Sequence, residues 1–276
     1  MNRYLKLVNF ETNRFLKLYL VLIGIVVFVQ MIGVIIVSRL YINSANEAIY
    51  EDFLTKAQFL DQYGYMSFIN FTRTAWFLGP IMLSMAVLII YVFFIWYRDW
   101  LGKNTFAYRL LMLPTERINV YLAKATTMLI FVLGLVSVQL LLFPLENQVM
   151  KWMVSDDFRM DFSVKQITTS NELVILFPNT FTEFLLYYGG GMVAVCIVFT
   201  AILFERSYRL KGIIYGILYC AVSLLVFFAP VFVDVFLLGN YLYPLELFFI
   251  EIAMGLLVLI GTIWIGHYLL KNKVRV

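Results

Sequence analysis

Six long apolar blocks, separated by shorter polar breaks, run through this chain of 276 residues. They fall at about 18–38, 76–97, 120–145, 183–204, 212–233 and 247–270. A helix needs roughly 20 residues to cross a hydrocarbon core about 30 Å thick, and these runs reach or approach that length. The pattern predicts an all-α, polytopic membrane protein with six transmembrane helices, forming a single transmembrane domain over 1–276. Two longer polar segments, 39–75 and 146–182, join spans one to two and three to four, and the second has room for short surface helices. Gly79-Pro80 near the start of the second span invites a kink. Gly189-Gly190-Gly191 in the fourth allows close backbone approach by a neighbour or loosens the helix, and we expect close packing.

Two stretches outside the spans have a pattern of their own. Before the first span, Arg3, Lys6, Arg14 and Lys17 share one narrow arc, because eleven residues make close to three helical turns. Tyr4, Leu5, Val8, Phe15 and Leu16 fill the other side, with Leu7 and Phe10 as exceptions. This predicts an interfacial amphipathic helix over 1–17 lying on an anionic membrane surface. Between spans two and three, 96–124 holds Arg98, Lys103, Arg109, Arg117 and Lys124. Within it Phe106, Leu110 and Leu113 form one stripe, and Pro114 stops the short helix they predict over 105–113.

Composition supports the membrane class. Charged residues are 14% of the chain, against about 25% in soluble domains, and mean hydropathy is +0.88. Cys196 and Cys220 both sit inside apolar runs and read as packing residues, with no disulfide or metal spacing. The first run is longer than a signal-peptide core and lacks an A-x-A exit, so we expect it to stay in place.

Charge sets the expected orientation. With the N-terminus inside, the four inner segments hold fifteen of the 21 Lys and Arg and only four acids, Glu11, Asp99, Glu116 and Glu205. The other thirteen acids lie on the outer side. Lysine and arginine bias orients such proteins, which predicts an N-in, C-in topology.

Candidate chemistry is sparse. No G-x-x-x-x-G-K-[ST] phosphate cradle and no H-E-x-x-H motif occur. The single histidine, His267, reads as a packing or headgroup residue near the end of the last span. The chain is expected not to be an enzyme and to bind no cofactor or metal of its own. Glu183, Asp234, Glu246 and Glu251 lie at the outward side of the spans and mark a possible acidic outer vestibule, against the plainer reading of interface carboxylates within reach of water.

At the break after the second span, WYRDWLGKNTFAYRLLMLPTERINVYLAK, the chain resembles the permease subunits of type-2 ABC exporters, which move antibiotics, polysaccharides and drugs. The resemblance rests on an arginine-flanked entry, a short helix ending in Leu-Pro, Thr115-Glu116-Arg117, and a lysine opening the next span. The N-terminal basic helix and the six spans are similar to the same plan. One departure is that this chain elaborates 146–182, where such permeases more often elaborate the last outer loop.

What the resemblance implies is specific. The break would be a cytoplasmic coupling helix docking on a separate soluble ATPase subunit, with Gly102, Lys103, Arg109, Pro114, Glu116 and Arg117 shaping or charging that interface. ATP and Mg would bind the partner, and a second permease chain, identical or related, would complete the pathway in the lipid of a bacterial plasma membrane. Nucleic acid is not an expected partner. The cargo implied is amphipathic: an antimicrobial peptide, a lipid-like molecule or a drug. A non-transporting membrane sensor or assembly scaffold is the alternative, with an ion-coupled carrier or intramembrane enzyme behind it.

Overall fold

The apolar runs fold as helices, and two of them extend into the polar segments that follow, to Tyr50 and to Met153. The computed structural model describes residues 3–101, 110–112, 115–169, 175–237, 239 and 241–274. The helices are α1 (Arg3–Tyr50), α2 (Lys56–Tyr63), α3 (Phe68–Thr72), α4 (Ala75–Trp100), α5 (Ile118–Met153), α6 (Val164–Thr168), α7 (Phe181–Tyr208), α8 (Leu210–Phe236) and α9 (Pro244–Asn272). Two two-residue strands, β1 (Met66–Ser67) and β2 (Arg159–Met160), pair in parallel. Among the described residues six helices, α1, α4, α5, α7, α8 and α9, are long and apolar enough to cross a membrane. The chain is an all-α, multi-pass membrane protein.

Several expected boundaries change. The basic N-terminal stretch is not a separate interfacial helix; it is the first part of α1, an unbroken helix of 48 residues, about 72 Å long at 1.5 Å per residue. The reason is in the sequence: no glycine or proline occurs from Arg3 to Ile23. Adding a residue to an existing helix costs far less than starting a new one. α5 likewise runs to Met153, through Pro144, and α4 runs through Pro80. Helices in lipid tolerate such prolines because neighbouring groups can re-satisfy the freed backbone.

The chain divides into two compact units, with boundaries inside α1, α4 and α5. The first comprises 1–14, 88–130 and 180–276. Here α7 and α8 form a hairpin turned at Arg209, a non-glycine residue with φ of +56°. Gly212 and Gly216 of α8 press on the backbone of Phe204, Glu205 and Ala201, so closely that a Cβ at Gly216 would stand 2.9 Å from the Ala201 carbonyl oxygen. By contrast, a Cβ at Gly190 or Gly191 would meet nothing within 4 Å, and one at Gly189 only ordinary contact. The expected close approach at the triple glycine is therefore corrected: a glycine four residues from another, on one helical stripe of α8, is what brings two backbones together. Polar ties join α9 to this hairpin, with Tyr219 donating to Thr262 at 2.8 Å and Thr262 close to Thr200.

The second unit comprises 15–87 and 131–179. Its centre is aromatic: Phe68, Phe71, Phe77, Phe143 and Phe177 are buried with Val34, Met150 and Ile167. Residues 39–75 fold here against 146–169 and 175–179. Met66 pairs with Arg159 across the strands, the Tyr41 hydroxyl donates to Gly64 and Phe158 carbonyls, and Phe59 is fully buried.

Candidate functional site: a buried ionic cluster

The first unit contains five charged side chains that pack on one another. α1 supplies Glu11 and Arg14, the last turn of α4 supplies Arg98 and Asp99, and the second turn of α5 supplies Lys124. Glu11 and Asp99 are each 1% exposed and Lys124 is 0% exposed. α1 brings its acid inward because Leu7, Val8, Glu11 and Phe15 form its buried stripe, at the spacing of one helical face.

Each charge in the cluster finds a partner. The Lys124 ammonium donates three times: to Glu11 Oε1 at 2.9 Å, to Asp99 Oδ2 at 2.6 Å and to the Ile95 carbonyl at 2.9 Å. Those three bonds use all its protons. Arg98 holds Glu11 Oε2 at 2.9 Å, and Arg14 holds Asp99 Oδ1 at 2.7 Å. All four carboxylate oxygens are therefore engaged. Two acids and three bases leave one net positive charge. Burying ions costs several kcal/mol each unless they are paired and hydrogen-bonded; here the ammonium and all four carboxylate oxygens are satisfied, while Arg98 Nε has no partner among the described residues.

An aromatic layer borders the cluster. Trp96 stands 5.2 Å under the Lys124 ammonium and stacks on Trp100 at 5.5 Å. The Arg206 guanidinium of α7 lies 4.8 Å over Tyr97 and 5.2 Å over Trp100, and the Tyr97 hydroxyl donates to Glu205. Thus one turn of α4, Trp96 to Trp100, touches α1, α5 and α7.

The break that follows is partly described. Gly102, Lys103, Arg109 and Pro114 lie outside the described residues. Leu110, of the predicted stripe, is buried with Leu7 and Val8 of α1 and Val120 and Ala123 of α5. Glu116 is exposed. Arg117 has an internal partner: it donates to the Leu270 carbonyl at 2.8 Å, in the last turn of α9, where a cation also complements the helix dipole.

The basic arc of α1 splits. Lys6 and Lys17 are exposed, as is Arg3, but Arg14 turns to Asp99. It is corrected from a membrane-surface residue to a cluster residue; Glu11, one turn before it, already draws the guanidinium inward at 3.6 Å. The four acids expected on the outer side take separate tasks. Asp234, at the end of α8, accepts from the Leu242 N–H at 3.0 Å, and Glu246 accepts from the Tyr243 N–H as part of the α9 cap. Glu183 lies in the first turn of α7, and Glu251 is half-buried with one oxygen lacking a partner among the described residues. No cluster of three His, Cys, Asp or Glu side chains suited to a metal occurs among the described residues.

Glu11 and Asp99 entered the sequence reading only as charges to be counted. Their signal was available: Glu11 and Arg14 are three residues apart on a helix, and Asp99 directly follows Arg98 at a span end. What the sequence lacked was the register that brings Lys124 to both. Comparison with family models, with characterised proteins and with solved structures found no match to this chain.

Proposed function

We propose that this chain is the permease subunit of an ABC exporter of the type-2 class, moving an amphipathic cargo across a bacterial plasma membrane. Both termini and the 96–124 break face the cytoplasm, where a separate ATPase subunit binds ATP and Mg. A second permease chain completes the pathway.

The observation that carries this reading is the ionic cluster's position. Asp99 and Lys124, near the two ends of the break, clasp each other, with Glu11 and Arg14 of α1 joined to the same clasp. A docking element held in this way cannot be pushed without moving α1, α4 and α5 together. A loop that only satisfied a charge bias would need no such buried anchor. The excess of lysine and arginine on the same side supports the orientation.

In this mechanism the partner's ATP-driven closure displaces the break, and the cluster transmits the displacement as a unit because separating its buried charges is costly. Arg109 and Glu116 contact the partner, while Arg117 ties the break to the end of α9. The test is charge reversal: Arg109→Glu should uncouple ATP hydrolysis from transport while leaving folding intact. Normal coupling in that variant would remove the docking assignment.

A further inference from the structure

The ionic cluster takes Glu11 and Asp99, and Glu146 stands apart from it. It lies on α5 in the second unit, three residues after Phe143 and four before Met150, both in that unit's core. The side chain is 0% exposed, and neither carboxylate oxygen has a hydrogen-bond partner among the described residues.

The surrounding elements offer it no counter-charge. On α1, Arg39 is exposed, and the Tyr41 hydroxyl is used on the Gly64 and Phe158 carbonyls. On α4, positions 75–87 hold no titratable side chain. Arg73, after α3, and Lys165, on α6, are exposed. Lys151 of α5 is paired with Asp161, and Arg159 of β2 with Asp156 and Asp161 and with two carbonyls. A bare carboxylate here would carry a desolvation cost that nothing offsets.

The neighbouring polar atoms point the same way. Tyr19 donates to the Phe131 carbonyl at 2.9 Å, and Val34 shares a core with Phe143, so α1 and α5 run in the same direction in this unit. On that register Gln30 comes level with Leu142 and Ser38 with Met150. Glu146 sits midway, about 6 Å along the axis from each. Gln30 Oε1, Ser38 Oγ and Asn147 Oδ1 are buried and lack hydrogen-bond partners among the described residues. Gln139 Nε2 of α5 is a buried donor without a partner among the described residues, and the Ser38 hydroxyl can donate as well as accept, so both kinds of group are open to a neutral carboxyl. A protonated carboxyl carries no charge and adds a donor.

We propose that Glu146 is a proton-binding site, holding a proton at neutral pH in the α1–α5 seam of the second unit. A metal cation is the weaker occupant, since it needs a shell of oxygens and the seam has a single carboxylate. The test is infrared difference spectroscopy on the full chain in lipid nanodiscs at pH 7, wild type minus Glu146→Gln, first in choline chloride and then in sodium chloride. The expected result is the carbonyl stretch of a protonated carboxylic acid in the wild type, absent from the variant and unchanged by sodium. Should Glu146→Gln not fold, Glu146→Asp reads the same group by shifting that band. Carboxylate bands from Glu146 in both salts would overturn the proposal, and carboxylate bands in sodium alone would replace the proton with a sodium ion.

Discussion

Lys124 Nζ and Asp99 Oδ2 lie 2.6 Å apart although 25 residues separate them in the chain. The pair closes the ends of α4 and α5 on each other, and Glu11 locks α1 onto the same lysine. Removing the lysine leaves each buried carboxylate with its arginine but strips a charged hydrogen bond from Glu11 Oε1 and from Asp99 Oδ2. Lys124→Met should therefore cost about 3–5 kcal/mol. Lys17→Met, at an exposed position on α1, should stay within about 0.5 kcal/mol. Thermal unfolding of both variants in the same detergent checks the contrast.

The two glycine sites predict opposite outcomes. Gly216→Leu forces a side chain into the backbone of Ala201 and should separate α7 from α8, seen as loss of folded protein on size-exclusion chromatography. Gly190→Ala meets open space inside a helix and should be neutral or stabilising by up to about 1 kcal/mol. Equal damage from both would contradict the packing described for α8.

Arg117 has a structural task of its own. Arg117→Ala removes a charged hydrogen bond to the Leu270 carbonyl and should cost about 1–2 kcal/mol. Hydrogen exchange should then speed up at the last turn of α9, at Leu269 to Lys273, before any other helix end responds. An unchanged exchange pattern would show that the contact carries no weight.

In the second unit, Phe143 touches Phe68, Phe77 and Phe177, with ring centroids 5.1–6.0 Å away. Phe143→Ala should cost about 3–5 kcal/mol through the cavity it leaves. Proteolysis of the 39–75 and 146–182 segments should accelerate in parallel, because both fold on that core.

Acid should loosen one surface latch. Burial nudges the Asp161 carboxyl up, but hydrogen bonds and charge from Lys151 and Arg159 more than offset this and hold it below the usual carboxylate range. A depressed carboxyl contributes stability above its unfolded value of about 3.9, and that stability fades as pH falls through the folded value. Asp161→Asn should flatten the acid end of the melting curve and leave neutral pH almost unchanged, as fits a half-exposed pair.

Much of this architecture was legible from local pattern. The six apolar runs mark the six long helices because helix length and hydropathy need no knowledge of neighbours. Boundaries were harder: the polar residues after Ser38 and after Leu145 looked like the start of loops, yet α1 and α5 continue through them because their buried faces still have a core to meet. The triple glycine drew attention by composition, while Gly212 and Gly216 earn their place through a partner helix that no local window contains. Glu11, Asp99 and Lys124 form a site only once three distant segments align. Glu146 looked like the first residue of a polar segment and is instead buried among phenylalanines.

The claim that an external ATPase drives this chain is tested most directly by purification. The tagged full-length chain would be extracted from its native membrane in mild detergent and its stoichiometric partners identified by mass spectrometry. The account predicts a soluble subunit carrying a phosphate-binding loop, retained by the wild type and lost on Arg109→Glu. A folded, intact chain that reproducibly purifies without such a subunit would contradict it.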